Sequence, residues 1–98
     1  MTIDQKREGE KLSLIIDGRL DTTTAPQLEV VVRTALEGVN ELIINLSKLE
    51  YISSAGLRVL LSAQKTMNKQ GEMVITGVTD TVMEVFDVTG FTDILNIQ

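Results

Sequence analysis

Two adjacent hydroxyl side chains, Ser53 and Ser54, stand between an apolar run and a helical pattern, where they are well placed for chemistry. A serine at a helix start can cap the helix, because its oxygen accepts a hydrogen bond from an unpaired N–H group of the first turn. An exposed serine there can instead be a phosphate acceptor, since the positive end of the helix dipole favours an anion. The residue types alone leave both interpretations open.

A carboxylate precedes the first predicted helix. Asp21 ends the segment Asp17–Asp21 and is followed by three threonines, of which Thr22 is the first. Such a carboxylate is either ordinary turn chemistry or a recognition point on an exposed loop. Recognition is favoured only if this loop lies beside Ser54 in the folded chain.

Other chemistry finds little support in the sequence. Ser62 and Lys65 match the S-x-x-K pattern of serine acyl-transfer enzymes, but its companion S-D-N and K-T-G elements are absent. Both residues also fall on the predicted polar face of a helix, where no pocket can desolvate the lysine. The chain has no glycine-rich phosphate loop. A small enzyme or nucleotide-binding protein is therefore the least favoured class.

Composition sets further bounds. The 98 residues suit one domain, 1–98, and contain no cysteine and no histidine, which removes thiol, zinc and histidine acid–base chemistry. The net charge of −5 argues against a nucleic-acid partner, whose phosphates require a basic surface. No signal peptide or membrane-length apolar run is visible. We expect a cytoplasmic domain with no cofactor, no metal and no direct membrane insertion.

Hydrophobic periodicity predicts an α/β fold with the order β-β-α-β-α-β-α-β. The predicted strands are Thr2–Arg7, Lys11–Gly18, Leu42–Leu46, Glu72–Thr76 and Phe91–Ile97, with Ser47–Ile52 as a connection. The first predicted helix begins at a capping box, Thr24–Gln27, and is ended by Gly38. The other two predicted helices cover about Ala55–Lys69 and Asp80–Val88. A mixed sheet of about five strands with three to four helices packed on it follows.

The second helix has two distinct faces at helical spacing. The apolar face comprises Leu57, Leu60, Leu61, Gln64 and Met67. The polar face comprises Arg58, Ser62, Lys65 and Lys69.

The element order, together with Gly18–Asp21 and Tyr51–Leu57, resembles the STAS domain family, specifically bacterial anti-sigma factor antagonists. The resemblance spans nearly the whole chain and includes Gly71–Met73 and Phe86–Gly90. It implies a single STAS-like domain that is not an enzyme.

In that family the turn commonly reads Asp-Ser-Ser/Thr-Gly-Leu, and the serine after the Asp is phosphorylated. Ser54 matches that serine, with Ser53 as the alternative acceptor. Ser53 occupies the position of the usual Asp, and Ala55 that of the second hydroxyl. Asp21 matches the Asp of the family's Gly-Glu-Leu-Asp loop, in which Arg19 replaces the Glu.

The resemblance implies a switch in which the unphosphorylated chain binds an anti-sigma factor serine kinase and releases a sigma factor. The resemblance further implies that phosphorylation at Ser54 abolishes this binding, and that a serine phosphatase of the PP2C type removes the phosphate. The implied partner-binding residues are Asp21, Thr22, Ser53, Ser54, Gly56, Leu57 and Arg58. The alternative is a non-switching STAS scaffold subunit of a membrane-associated or sensor complex, with Ser54 merely a helix cap.

Overall fold

The computed structural model describes all 98 residues as a four-stranded mixed sheet with three α-helices. The spatial order is β1-β2-β3-β4, with β1 antiparallel to β2 and the other neighbours parallel. The strands are β1 (Thr2–Glu8), β2 (Lys11–Leu20), β3 (Glu41–Ile52) and β4 (Glu72–Thr76). The helices are α1 (Ala25–Ala35), α2 (Ser54–Gln70) and α3 (Asp80–Thr89), followed by a 3-10 turn at Phe91–Asp93.

One hydrophobic core joins the sheet to the helices. Alternating apolar residues of β2 and β3 point to the same face, because side chains in a strand alternate with a period of two. The helices contribute Leu28 and Val32 of α1, Leu60 of α2 and Phe86 of α3 to the same core. The two predicted faces of α2 are confirmed: Leu57, Leu60, Gln64 and Met67 are buried, Leu61 is half-buried, and Arg58, Ser62, Lys65 and Lys69 are exposed.

Two bulges lengthen β3 relative to β2. Residues Ile15 to Asp17 of β2 lie opposite Asn45 to Lys48 of β3, and Gly18 to Arg19 lie opposite Leu49 to Tyr51. Each bulge inserts one extra residue and shifts the alternation of side chains by one position.

The predicted connection at Ser47–Ile52 is therefore wrong, since the strand continues to Ile52. Beyond the first bulge the inward residues lie three apart, at Leu46, Leu49 and Ile52. This spacing is neither the alternation of a regular strand nor the pattern of a helix, and for that reason the sequence did not predict that the strand continues beyond Leu46.

The predicted last strand, Phe91–Ile97, is also incorrect. Gly90 adopts a left-handed conformation and ends α3, and the 3-10 turn follows immediately. Only an isolated bridge forms with β4, in which Ile75 bonds to Asn96 and Gln98 at 2.8 Å each. The sheet therefore has four strands, not about five.

Two long side chains hold the C-terminal end of α1. The guanidinium of Arg7 in β1 donates to the carbonyls of Ala35 at 3.4 Å and Glu37 at 3.1 Å. The side-chain amide of Gln70 at the end of α2 donates to Leu36 and Val39, both at 2.6 Å. Of these carbonyls, that of Ala35 lies in the last turn of α1, where a helix leaves carbonyls unpaired, and the others lie at the helix end or in the loop after it. No helix is long and apolar enough to cross a membrane.

Candidate functional site

The C-terminal ends of β2 and β3 lie side by side. Leu20 pairs with Ile52, and the N–H of Ser53 donates to the carbonyl of Leu20 at 2.9 Å. The loop at residues 21–24 and the turn at residues 53–58 are therefore neighbours, and together we call them the loop edge. This meets the condition under which Asp21 is favoured as a recognition residue.

Hydrogen bonds make the loop after β2 rigid. Asp21 Oδ1 accepts from the N–H groups of Thr23 at 3.0 Å and Thr24 at 3.1 Å. The hydroxyl of Thr24 donates to the carbonyl of Arg19 at 2.7 Å and accepts from the N–H of Asp21 at 2.9 Å. Thr24 makes no side-chain capping bond to α1, so the predicted capping box does not form. Its hydroxyl is used to close the loop instead.

The loop edge carries a fixed negative charge. The hydrogen bond from the Thr24 N–H is the largest cause that lowers the pKa of Asp21, and the Thr23 N–H, the Thr24 hydroxyl and Arg19 lower it further, against partial desolvation. All of these donors stabilise the ionised carboxylate. Nε of Arg19 lies 4.0 Å from Asp21 Oδ2, and its guanidinium carbon lies 4.4 Å from the ring centre of Tyr51.

The two serines of the turn have different environments. Ser53 occupies the N-cap position of α2 with an extended backbone, but its hydroxyl makes no capping bond. Its Oγ is buried without a hydrogen-bond partner. Ser54 is the first residue of α2, and its side chain is exposed. The capping interpretation is therefore not what this structure shows, and Ser54 is the accessible hydroxyl.

Close packing of Gly56 brings the start of α2 against the strand ends. A Cβ atom on this buried residue would lie 2.6 Å from Leu20 Cγ, 2.9 Å from Ile52 Cγ1 and 3.0 Å from the Leu20 carbonyl oxygen. Only a residue without a side chain allows this approach. Gly56 therefore sets the distance between the serine turn and the Asp21 loop.

The predicted partner-binding residues divide by depth. Thr22, Ser54 and Arg58 are exposed, and Asp21 and Ser53 are partly exposed. Gly56 and Leu57 are buried beneath the turn, where they support it.

A groove of about 730 Å³ extends from the loop edge between α1 and α2. Thr22, Ala55 and Arg58 line it near the loop edge, and Glu29 and Arg33 line it along α1. Sequence reasoning did not anticipate this groove or the contact of Arg19 with Tyr51. The contact depends on the strand register, because Arg19 lies opposite Tyr51 only after the two bulges of β3.

The acyl-transfer pattern finds no site in the structure. Ser62 and Lys65 are both exposed on α2. No group of three or more carboxylate, histidine or cysteine side chains is arranged to hold a metal ion.

The fold and the sequence agree with a known family of small domains. A sequence model of the STAS domain matches residues 3–98, and the chain belongs to the STAS domain family. The anti-sigma-B factor antagonist of Listeria monocytogenes is 31% identical over 97 residues, covering 96% of this chain and 84% of the relative.

Solved structures share the fold. An anti-sigma factor antagonist from Mycobacterium paratuberculosis superposes with a TM-score of 0.88 and 21% identity, covering 98% of this chain and 83% of that one. The Bacillus cell fate determinant SpoIIAA, in its phosphorylated form, superposes with a TM-score of 0.77 and 19% identity, covering 99% and 91%. At these identities the likeness concerns the fold alone.

Proposed function

We propose that this protein is an anti-sigma factor antagonist controlled by phosphorylation of Ser54. The unphosphorylated form binds an anti-sigma factor that is also a serine kinase, which frees a sigma factor in the cytoplasm. The phosphorylated form does not bind, and a PP2C-type phosphatase restores it. The relatives named anti-sigma-B factor antagonists support the role, and a related fold is known in a phosphorylated form.

The observation that carries the proposal is the position of Ser54. Its side chain is exposed, it begins α2, and it stands beside the ordered Asp21 loop. In phosphorylation the Ser54 oxygen attacks the γ-phosphorus of ATP; the new O–P bond forms as the bond to ADP breaks, and the hydroxyl proton passes to a base of the kinase. Ser53 is the poorer acceptor, because its Oγ is buried.

Binding is lost because the modification changes the charge of the contact surface. A phosphate adds about −1.5 to −2 charges at pH 7. The added group lies on the same loop edge as the ionised Asp21, so a partner that accommodates this carboxylate meets additional negative charge and bulk. A loss of about 3 kcal/mol would weaken binding more than a hundredfold.

The first test is mass spectrometry of the chain after incubation with ATP and candidate kinases of the anti-sigma type. We expect one phosphate, on Ser54, and none on Ser54→Ala. Ser53→Ala serves as the matched control and should still be phosphorylated. No phosphate with any kinase, together with stable co-purification with a membrane-associated or sensor complex, would support the non-switching scaffold instead.

The second test is a pull-down with the cognate kinase. Ser54→Ala should bind like the unmodified chain, and Ser54→Asp should bind much less. Equal binding by the two variants would contradict exclusion by charge.

A further inference from the structure

Arg58 lies one helical turn after Ser54 and is free to bind an anion. It is exposed on α2 and belongs to none of the three ion pairs of the structure, which are Lys6–Glu8, Arg19–Asp21 and Arg33–Glu29. Its guanidinium also forms no hydrogen bond to the protein, unlike that of Arg7. Arg58 is thus a cation without a partner beside the accessible serine.

The spacing of the two residues suits a direct contact. Residues four apart on a helix are neighbours on one face, and side chains lean toward the N-terminus of the helix. The spacing therefore places Ser54 within reach of the Arg58 side chain. An acidic group that precedes a basic one by four residues is also the favourable order.

The start of α2 contains no acidic side chain that would pair with Arg58 in place of a phosphate. The first turn contains no acidic residue, and Ser53 does not cap it. The first bond within the helix runs from Leu57 N–H to Ser53 carbonyl at 2.9 Å, so the N–H groups before it have no partner within the helix.

Two other arginines of this region are already paired. Arg19 lies between Asp21 and Tyr51, and Arg33 across the groove pairs with Glu29 at 3.4 Å. Arg58, by contrast, is free to respond to a new negative charge on Ser54.

We propose that Arg58 is the internal counter-ion of phosphorylated Ser54. This rests on the proposed function, in which Ser54 is the acceptor. The guanidinium holds the phosphate against α2 through charge-assisted hydrogen bonds, for which its planar fork is well shaped. Phosphorylation then changes the surface that the partner contacts in two ways. It adds an anion, and it engages a cation that was free and exposed.

The test uses phosphoserine incorporated directly at position 54, so that it does not depend on any kinase. Phosphorus NMR follows the titration of the phosphate in the otherwise unchanged chain, in Arg58→Gln and in Lys65→Gln. We expect the proton that the phosphate loses in its second ionisation to be bound about twofold more weakly when Arg58 is present than in Arg58→Gln. Lys65→Gln removes an exposed cation that lies farther along the same helix and belongs to no ion pair, and it should titrate like the unchanged chain.

Asp21 and the Arg33–Glu29 pair are the same in every variant, so the comparison isolates the effect of Arg58. An identical titration with and without Arg58 would overturn the proposal, and so would an equal effect of Lys65→Gln. The proposed function is judged separately, by whether the cognate kinase retains the phosphorylated chain in a pull-down. If the kinase retains the phosphorylated chain while the titration depends on Arg58, the counter-ion proposal is supported and the proposed binding switch is contradicted.

Discussion

The side chain of Asp21 both closes its loop and places a negative charge at the protein surface. Its carboxylate closes the loop by accepting backbone N–H bonds from Thr23 and Thr24, while it remains open to solvent. The same donors that position it also lower its pKa below the ordinary value of 3.8. The sequence identified the residue, but its role depends on donors that only the folded loop brings together.

The lowered pKa of Asp21 predicts a particular dependence of stability on pH. A carboxylate whose pKa is lower in the folded state stabilises the protein above its unfolded pKa, and this contribution is lost as the pH falls through the folded pKa. Asp21→Asn retains an oxygen acceptor but cannot ionise. We expect the melting temperature of the unchanged chain to exceed that of Asp21→Asn above about pH 4, and the difference to shrink below it.

Thermal unfolding followed by circular dichroism between pH 2.5 and 7 measures this difference. Asp4→Asn is the control, because Asp4 is an exposed carboxylate of β1 that makes no loop bonds of this kind and no ion pair. A constant gap between Asp21→Asn and the unchanged chain across the range would show that the charge of Asp21 contributes nothing.

At the scale of elements, the two bulges of β3 and the glycine of α2 position the site together. The bulges carry Leu49 and Ile52 inward and align the end of β3 with Leu20 of β2. Gly56 then lets the first turn of α2 rest on both strand ends. The serine turn is therefore positioned by contacts between elements rather than by its own hydrogen bonds.

Gly56→Ala should destabilise the protein, although alanine is the better helix former. The helix gains about 1 kcal/mol from alanine, whereas overpacking a tight contact costs about 1–3 kcal/mol. Because a methyl group would overlap Leu20 and Ile52 and crowd the Leu20 carbonyl, we expect a cost at the upper end of this range and a net loss of about 2 kcal/mol. Denaturant unfolding measures this loss.

Ser62→Ala provides the matched control for Gly56, since it also introduces alanine into α2 but on the exposed face. We expect it to leave the free energy of unfolding within about 0.5 kcal/mol of the parent. Equal effects of the two substitutions would mean that Gly56 is not closely packed in solution.

At the scale of the whole molecule, the Ser54 side chain lies outside the core. It is exposed at the loop edge, and the 24 residues of the hydrophobic core do not include it. A charge on Ser54 therefore changes what a partner meets without disturbing the packing of the sheet and helices.

Ser54→Glu should fold and melt within a few degrees of the parent, because an anion at a helix N-terminus is favourable. Ser53→Glu, with its side chain starting at the buried Oγ position, should be clearly less stable. Thermal melts of both variants test this contrast. Severe unfolding of Ser54→Glu would show that the Ser54 hydroxyl is structural.

The amino-acid sequence by itself determined the order of the three helices and four strands. It also placed their boundaries to within a few residues, except at the end of β3 and in the segment after α3. It did so because periodicity, caps and turn residues act locally; β4 was predicted with its observed bounds, Glu72–Thr76. It also marked Ser54 and Asp21, since hydroxyls and carboxylates at element junctions stand out in a linear chain.

Only the tertiary structure decided how these residues meet. The bulges of β3, the burial of the Ser53 hydroxyl and the free guanidinium of Arg58 depend on which residues lie opposite each other across strands and helices. Strand register is a property of paired segments distant in sequence, and one inserted residue reverses every side chain that follows it. For that reason local patterns could locate the site, whereas packing between elements defined its shape and charge.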